Sequence, residues 1–477
     1  MYKVGGKSIL NHFATISLGT IINVIVGLIS VPIITRLVLP SDYGDYSLFT
    51  MYADIAVMVI CCGMDQSLVR FYYTRDSYSY KSALLRTCLI LPVILFIITV
   101  VLYYIIEGFT DISFGFSGLI TGLLFFYILL QVFNRFSFLT VRLQYDSRLF
   151  ASLNVINKAL FAILAIVFLL SINSHDLLVL CGSTVIAILV VTVWGIYKEK
   201  SIWFGNIKEF NKIDYRQIIK YGTPFVFSLG IATLFHSIDK IALNYYCGSA
   251  EVGIYSGALN LIKVFTIVQT TFNSLWAPMA MESYEKNPEN KSLFIKANDY
   301  ITIIMFFIGL LLIVGKDLFA LFLGIEYRSA ANIFPCLVFF PIMYTISETT
   351  CLGIDFSKKS YLHVWVAIGA CLTNIIGNVI LVPIMAGKGA AISTGISYIV
   401  FFTLRTFLAR KQYYVDYKLV RIFIFTALTL LYALINTFFE FGTITILGFI
   451  ICVLCLYLFY RNEIKSLVFE TRKQIKI

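Results

Sequence analysis

The chain carries one short motif twice: SDYGDYS at residues 41–47 returns as AEVGIYS at residues 250–256. At an offset of 209 residues the glycine, the second tyrosine and the final serine are identical, and Asp42 is matched by Glu251. Both copies follow one apolar segment and precede another. Gly44 and Gly253 therefore lie where small residues allow helices to approach closely, which predicts a packing role. The repeat indicates a fold built from two related halves.

The sequence on either side of the motif is strongly apolar. Of the 477 residues, 59% are hydrophobic and 13% are charged, whereas a soluble domain carries about 25% charged residues. Apolar stretches of about 20 residues, the length of a helix that crosses a bilayer, run from end to end. The loops between them are too short for a soluble catalytic module, and the scattered histidines and cysteines make no metal-ligand pattern. We predict an all-α polytopic membrane protein without cofactor or metal.

Fourteen apolar segments are predicted to be transmembrane helices. They cover residues 9–34, 43–63, 84–106, 116–139, 150–171, 176–197, 217–238, 252–277, 297–314, 331–351, 361–383, 389–409, 420–438 and 442–460. With both termini cytoplasmic, 30 of the 37 lysines and arginines fall on the cytoplasmic side, five on the outer side and two inside helices. Cytoplasmic loops are enriched in these residues. The net charge of +11 therefore indicates membrane topology and not nucleic-acid binding.

The domain organisation follows from the repeat. Six helices return the chain to the same side, so the two halves are predicted to be parallel repeats related by an axis along the membrane normal. We predict an N-terminal six-helix bundle at 1–197, a cytoplasmic linker at 198–216, a C-terminal six-helix bundle at 217–410, and two extra helices with a cytoplasmic tail at 411–477. Two packed bundles with a site between them are typical of transporters that work by alternating access.

Several short motifs, in this order and spacing, resemble a known superfamily. They are RLVLPSDYGDYS at 36–47, LVRF at 68–71, YGTP at 221–224, DKIAL at 239–243, EVGIYS at 251–256, and NIIGNVILVP at 374–383 running into GKGAA at 387–391. The chain resembles the multidrug/oligosaccharidyl-lipid/polysaccharide exporter superfamily, and within it the Wzx-type flippases of O-antigen and capsule repeat units. The resemblance spans the first twelve predicted helices.

The resemblance implies a fold, a substrate class and a location. The fold would be similar to that of the MATE transporters, and the substrate would be an undecaprenyl-diphosphate-linked oligosaccharide crossing the bacterial inner membrane. Besides this substrate and the membrane lipids, a polysaccharide polymerase and a chain-length regulator are the expected partners. The identity of the sugars does not follow from the resemblance.

Two charged residues are predicted to lie deep inside membrane helices. Asp54 and Lys263 each lie about eleven residues into a predicted helix, about 16 Å at 1.5 Å per residue, and thus near the bilayer midplane. The offset of 209 residues relates them as well. Because intramembrane charges mark substrate and ion pathways, we predict that both face a cavity between the bundles. A structural ion pair between the bundles is the alternative, and the two interpretations are compatible.

Four further residues complete the predicted substrate site. They are Arg36 and Lys240 near the outer ends of the first and seventh helices, Asp239 beside Lys240, and Arg70 at the inner end of the second helix. Arginine offers paired donors to phosphate oxygens, so a basic inner surface suits a diphosphate, although topology alone also explains Arg70. Asp239 is predicted to neutralise Lys240.

Two other functions remain open on the sequence. A cation-coupled multidrug exporter of the same superfamily would favour carboxylates and aromatic residues over the lysine at 263. A membrane-embedded polysaccharide polymerase or acyltransferase would need a sizeable outer loop, and the longest one here, about 315–330, is short and half apolar. The sequence argues against an ATP-driven pump, because the Gly-Lys pairs at 315–316 and 387–388 lack the spacing of a phosphate-binding loop.

Overall fold

The computed structural model describes residues 6–110, 114–171, 176–206 and 213–466. Within these ranges the regular secondary structure is helical, with no strand. The helices are α1 (Gly6–Leu37), α2 (Pro40–Cys61), α3 (Met64–Phe71), α4 (Tyr78–Phe109), α5 (Gly118–Leu143), α6 (Ser147–Ser171), α7 (Asp176–Lys198), α8 (Lys200–Trp203), α9 (Tyr215–Gly222), α10 (Pro224–Cys247), α11 (Ser249–Ile262), α12 (Val264–Lys286), α13 (Ser292–Val314), α14 (Lys316–Ala320), α15 (Ala330–Leu337), α16 (Phe339–Thr350), α17 (Leu352–Phe356), α18 (Tyr361–Gln412), α19 (Leu419–Phe438) and α20 (Thr443–Phe459).

The long helices have the length and composition of membrane spans. Among the described residues, eleven helical spans meet both criteria, and the pair α11 and α12, bent by 51°, adds a twelfth if it crosses as one. α18 counts once although it is interrupted at Ala386, whose φ of 48° and ψ of −131° are not helical. The protein is an all-α, multi-pass membrane protein, as predicted. The count of fourteen spans stays a prediction.

The chain divides into two compact units. Unit 1 comprises Met1–Val38 and Asp45–His236, and unit 2 comprises Leu39–Gly44 and Ser237–Ile477. In unit 1, α1 packs on α6 and α5 packs on α7. A buried cluster in the same unit includes Phe49 of α2, Leu84 of α4 and Phe136 of α5. The domain boundaries predicted from the sequence, including the linker at 198–216, stay a prediction.

Unit 2 is organised around the span formed by α15 and α16. Of this span 83% is buried inside the protein, the largest share among the described spans. It packs on α18 along both of its helices, and α13 and α19 lie against it as well. A span enclosed in this way contacts neighbouring helices more than lipid, which explains why its sequence carries polar groups such as Ser347 and Thr350 that are buried.

The two copies of the repeated motif contact each other within unit 2. A methyl group added at Gly44 would overlap the carbonyl oxygen of Ser249, and one added at Gly253 would overlap the carbonyl oxygen of Pro40. The two contacts are equivalent, because the offset that relates Gly44 to Gly253 also relates Pro40 to Ser249. The predicted packing role of both glycines is confirmed.

Lys316, the first residue of α14, is a buried cation in unit 2. Its ammonium donates to Oδ1 of Asn332 at 3.0 Å and to the carbonyl oxygens of Asn436 at 2.6 Å and Phe439 at 2.8 Å. These carbonyls lie at the C-terminal end of α19, where a helix leaves carbonyl groups unpaired and its dipole is negative. Lys316 thus stabilises the end of a helix that lies far along the chain.

Candidate functional site

Asp54 lies in α2 within unit 1, and its side chain is exposed. Its Oδ1 accepts a hydrogen bond from Nε2 of Gln131 on α5 at 3.2 Å. One turn further along α5, Arg135 donates through Nε at 2.8 Å and Nη2 at 2.5 Å to Oδ2 of Asp65, a carboxylate whose side chain is 2% exposed. α5 therefore presents two polar residues to two carboxylates, and Gln131 orients Asp54.

Lys263 lies in unit 2 at the bend between α11 and α12. The sequence predicted a single helix over 252–277, but the structure breaks it at Lys263, which ends α11 and precedes α12. The exposed side chain donates to Oδ1 of Asn260, and Nδ2 of Asn260 donates to the hydroxyl of Tyr43 at 2.9 Å. Lys263 thus lies between two helices and not inside one.

Asp239 is the centre of a buried polar cluster in unit 2. The residue is 6% exposed. Its carboxylate accepts hydrogen bonds from the hydroxyls of Tyr255 and Thr394, each at 2.6 Å, and from the amides of Asn378 at 2.8 Å and Asn374 at 3.2 Å. Four donors satisfy the hydrogen-bonding capacity of this buried carboxylate. The prediction that Asp239 neutralises Lys240 did not include these four hydrogen-bond donors.

The polar cluster could have been found from the sequence. Asn374 and Asn378 lie one turn apart in the otherwise apolar segment NIIGNVILVP, and an asparagine pair at that spacing faces one direction. Tyr255 belongs to the second copy of the repeated motif. The motifs that carry the family resemblance thus converge on one carboxylate.

The remaining predicted site residues lie at the ends of helices. Arg36 is exposed in the last turn of α1, Lys240 is half-buried in α10, and Arg70 is exposed in the last turn of α3. Arg70 borders a cleft that also contains Arg75. Of the six predicted residues, Arg36, Asp54 and Arg70 belong to unit 1, and Asp239, Lys240 and Lys263 belong to unit 2. Their convergence on one cavity stays a prediction.

A buried ion pair in unit 2 was missed, because Arg405 was counted among the cytoplasmic basic residues. Nη1 of Arg405 on α18 donates to Oε1 of Glu348 at 2.6 Å and to Oγ of Ser347 at 2.8 Å. The guanidinium carbon also lies 5.5 Å from the ring centre of Phe401 and 5.9 Å from that of Tyr344. The side chains of Arg405 and Glu348 are only 11% and 19% exposed. This pair joins α16 to α18.

Known proteins of similar fold are transporters. The chain resembles a solved structure described as the lipid II flippase MurJ in an inward closed conformation, with a TM-score of 0.67 and 15% identity, over 94% of this chain and 99% of that one. It also resembles an inward-facing multidrug resistance MATE family transporter of the MOP superfamily, with a TM-score of 0.61 and 16% identity, over 82% of this chain and 94% of that one. These likenesses concern the fold.

Similarity in sequence identifies the family. The capsular polysaccharide biosynthesis protein CapF of Staphylococcus aureus is 24% identical over 407 residues, which is 81% of this chain and 93% of CapF. A family model described as polysaccharide biosynthesis protein matches residues 9–284, more than half of the chain. The resemblance inferred from the sequence motifs is confirmed, and the chain belongs to the polysaccharide biosynthesis protein family.

Proposed function

We propose that the protein is a flippase that moves undecaprenyl-diphosphate-linked oligosaccharide repeat units, of an O-antigen, capsule or exopolysaccharide, across the inner membrane. The observation that carries the proposal is the family match over residues 9–284, which links the chain to polysaccharide biosynthesis. The fold adds support, because it is shared with a lipid II flippase and with a multidrug transporter. A carrier fold in a polysaccharide biosynthesis family is best explained by transport of a lipid-linked glycan.

The orientation and partners follow from the same proposal. Both termini lie in the cytoplasm, where the lipid-linked unit is assembled, and the unit is released on the opposite face. A polysaccharide polymerase and a chain-length regulator act on it there. Alternating access of two bundles carries the headgroup, while the prenyl tail stays in lipid through a gap between them.

Loss of the protein is expected to abolish surface polysaccharide. We expect a deletion strain to accumulate lipid-linked repeat units in the inner leaflet, because synthesis continues while translocation stops. Surface glycan is measured by immunoblot, and lipid-linked oligosaccharide is extracted and quantified. A plasmid copy of the gene should restore surface glycan and return the lipid-linked oligosaccharide to the wild-type amount.

The deletion strain also separates the alternatives. Normal surface glycan with raised sensitivity to cationic drugs would indicate a multidrug exporter. Loss of long glycan chains with repeat units already on the outer leaflet would indicate a polymerase. Unchanged chain length with acyl groups missing from the glycan would indicate an acyltransferase.

We propose that Lys263 and Asp54 form the charged part of the substrate pathway. A diphosphate near the bilayer centre is costly without a compensating charge, and an ammonium in a partly hydrated cavity lowers that cost by attraction. Two features support these residues: Lys263 is exposed at a helix break, and Asp54 is exposed and oriented by Gln131. On this proposal Asp54 holds Lys263 when the cavity is empty and releases it to the diphosphate, which keeps binding reversible. Protonation of Asp54 would couple transport to a proton gradient.

Replacement of the lysine tests this site. We expect Lys263→Ala to lower surface glycan export about tenfold or more, equivalent to about 1.4 kcal/mol, with normal protein levels in the membrane. Lys263→Arg should keep part of the activity because it keeps the charge, and Asp54→Asn should impair export. The matched control is Lys158→Ala, because Lys158 is the other lysine within a predicted helix and its ammonium lies over the ring of Phe161. Equal export by Lys263→Ala and Lys158→Ala would contradict the assignment.

A further inference from the structure

A cleft of about 330 Å³ opens in unit 1 where α3 ends, α4 begins and α9 begins. Arg70, Thr74 and Arg75 line it from the α3–α4 side, and Ile213, Asp214 and Gln217 line it from the side of α9. A phosphate or a diphosphate is much smaller than this volume. The cleft can therefore accept such a group with part of its carrier.

The walls of the cleft are held in place by the packing of α9 on α3. Oγ of Ser67 donates to the carbonyl oxygen of Ile218 at 2.8 Å, and Ile218 is 2% exposed. The backbones approach so closely that a methyl group added at Gly222 would lie 2.7 Å from the carbonyl oxygen of Gly63. The side chain of Asp214 accepts from the backbone N–H of Gln217 at 3.2 Å and so caps α9. These contacts fix the cleft without a ligand.

The cleft is basic. Arg70 and Arg75 are both exposed, and among the described residues that line the cleft Asp214 is the one carboxylate. The nearby carboxylate of Asp76 is bound at 2.8 Å by the ammonium of Lys81. The two guanidinium groups outnumber the one carboxylate, so the net positive charge of the cleft attracts an anion. The planar guanidinium also matches the oxygen geometry of a phosphate group. The hydroxyl of Thr74 offers a further donor.

The cleft also lies at the level expected for lipid headgroups. The apolar spans Tyr78–Phe109 and Tyr215–Cys247 both begin at its rim, and the ends of membrane-spanning helices lie in the headgroup region. Tyr78 and Tyr215 stand at the first positions of these spans, as is typical of an interfacial aromatic belt. An anion that reaches this level can belong to a lipid or come from solution.

We propose that this cleft is a binding site for a phosphate group, carried either by a lipid headgroup or by a soluble anion. Arg70 and Arg75 bind the phosphate oxygens, and Thr74 donates a further hydrogen bond. The proposal rests on the cleft and its charge, and it holds whether or not the protein transports a glycolipid.

Binding to purified full-length protein in a neutral detergent tests the site. Short-chain phosphatidylglycerol, short-chain diacylglycerol, which lacks the phosphate, and inorganic pyrophosphate are titrated separately, and the dissociation constants are measured by thermophoresis. The test variant is Arg70→Gln/Arg75→Gln. The matched control is Arg142→Gln/Arg148→Gln, which removes the same charge from two exposed arginines of unit 1 that do not line the cleft. Size-exclusion profiles establish that both variants are folded.

We expect the test variant to weaken binding of the anionic probe about tenfold or more, and the control to stay within about threefold of the wild type. Tighter binding of phosphatidylglycerol than of pyrophosphate assigns the site to lipid headgroups, and the reverse order assigns it to a soluble phosphate. Equal weakening in both variants, equal binding of the phosphate-free diacylglycerol, or no saturable binding to the wild type would overturn the proposal. Normal glycan export by the deletion strain would contradict the proposed function and would leave this binding result unchanged.

Discussion

Gly44→Ala and Gly253→Ala should each remove most of the folded protein from the membrane. The added methyl group would overlap a backbone carbonyl oxygen, that of Ser249 or of Pro40. A backbone atom cannot rotate away as the end of a flexible side chain can, so the helices must separate. Overpacking of this kind costs about 3 kcal/mol or more where the neighbours cannot move. Because the two contacts are equivalent, we expect the two variants to lose stability to a similar extent.

The measurement is the yield and thermal unfolding midpoint of the protein extracted in detergent. Gly122→Ala in α5 and Gly182→Ala in α7 are the matched controls, because no heavy atom of a described residue lies within 4 Å of their added methyl groups. Alanine favours helix by about 1 kcal/mol over glycine, so the controls should be unchanged or more stable. If all four variants shift the midpoint alike, the close contact does not determine stability.

Arg405→Ala should produce the second large loss of stability. It leaves the carboxylate of Glu348 without its partner in a site where both side chains are largely buried. Removing one partner of a buried ion pair costs about 3–5 kcal/mol. Glu348→Gln should cost less, because the neutral amide still accepts a hydrogen bond from the guanidinium.

A double variant separates the charge from the packing. Arg405→Met with Glu348→Leu removes both charges and keeps most of the volume, so we expect it to recover much of the stability lost by Arg405→Ala. Unfolding midpoints of Arg405→Met, Glu348→Leu and the double variant, compared with the wild type, form the required cycle. A double variant no more stable than Arg405→Ala would show that the loss came from packing against Tyr344 and Phe401.

The membrane fold could be predicted because it depends on local sequence. A segment of about 20 apolar residues must be helical in lipid to pair its own backbone groups, and no distant partner is needed to recognise it. The repeat went further, since its offset of 209 residues identified Gly44 and Gly253 as equivalent packing positions. That the two copies pack on each other was not predicted. The short helix α3 was missed, and α9 was predicted only as the beginning of the segment 217–238, because eight residues give too few turns for a periodic pattern of their own.

The polar sites were predicted less well, because a residue type does not reveal a partner far along the chain. Arg135 and Arg405 were counted on the cytoplasmic side, near the inner ends of the predicted helices 116–139 and 389–409. Yet each binds a buried carboxylate, Asp65 or Glu348, more than 50 residues away. Asp239 was identified as important, but three of its four donors come from α18, which only the fold brings near.

The contact of Lys316 with α19 has a consequence for biogenesis. The chain reaches the acceptor Asn436 120 residues after Lys316, and a ribosome adds roughly 5–20 residues per second. For about 6–24 s the nascent chain therefore carries an ammonium group whose two backbone acceptors have not been synthesised. Water or lipid headgroups must solvate it during this interval, so α14 reaches its buried position only after α19 has left the ribosome. The contacts of Lys316 are thus completed only after α19 has been synthesised, and a chain that terminates before α19 lacks both backbone acceptors of this ammonium.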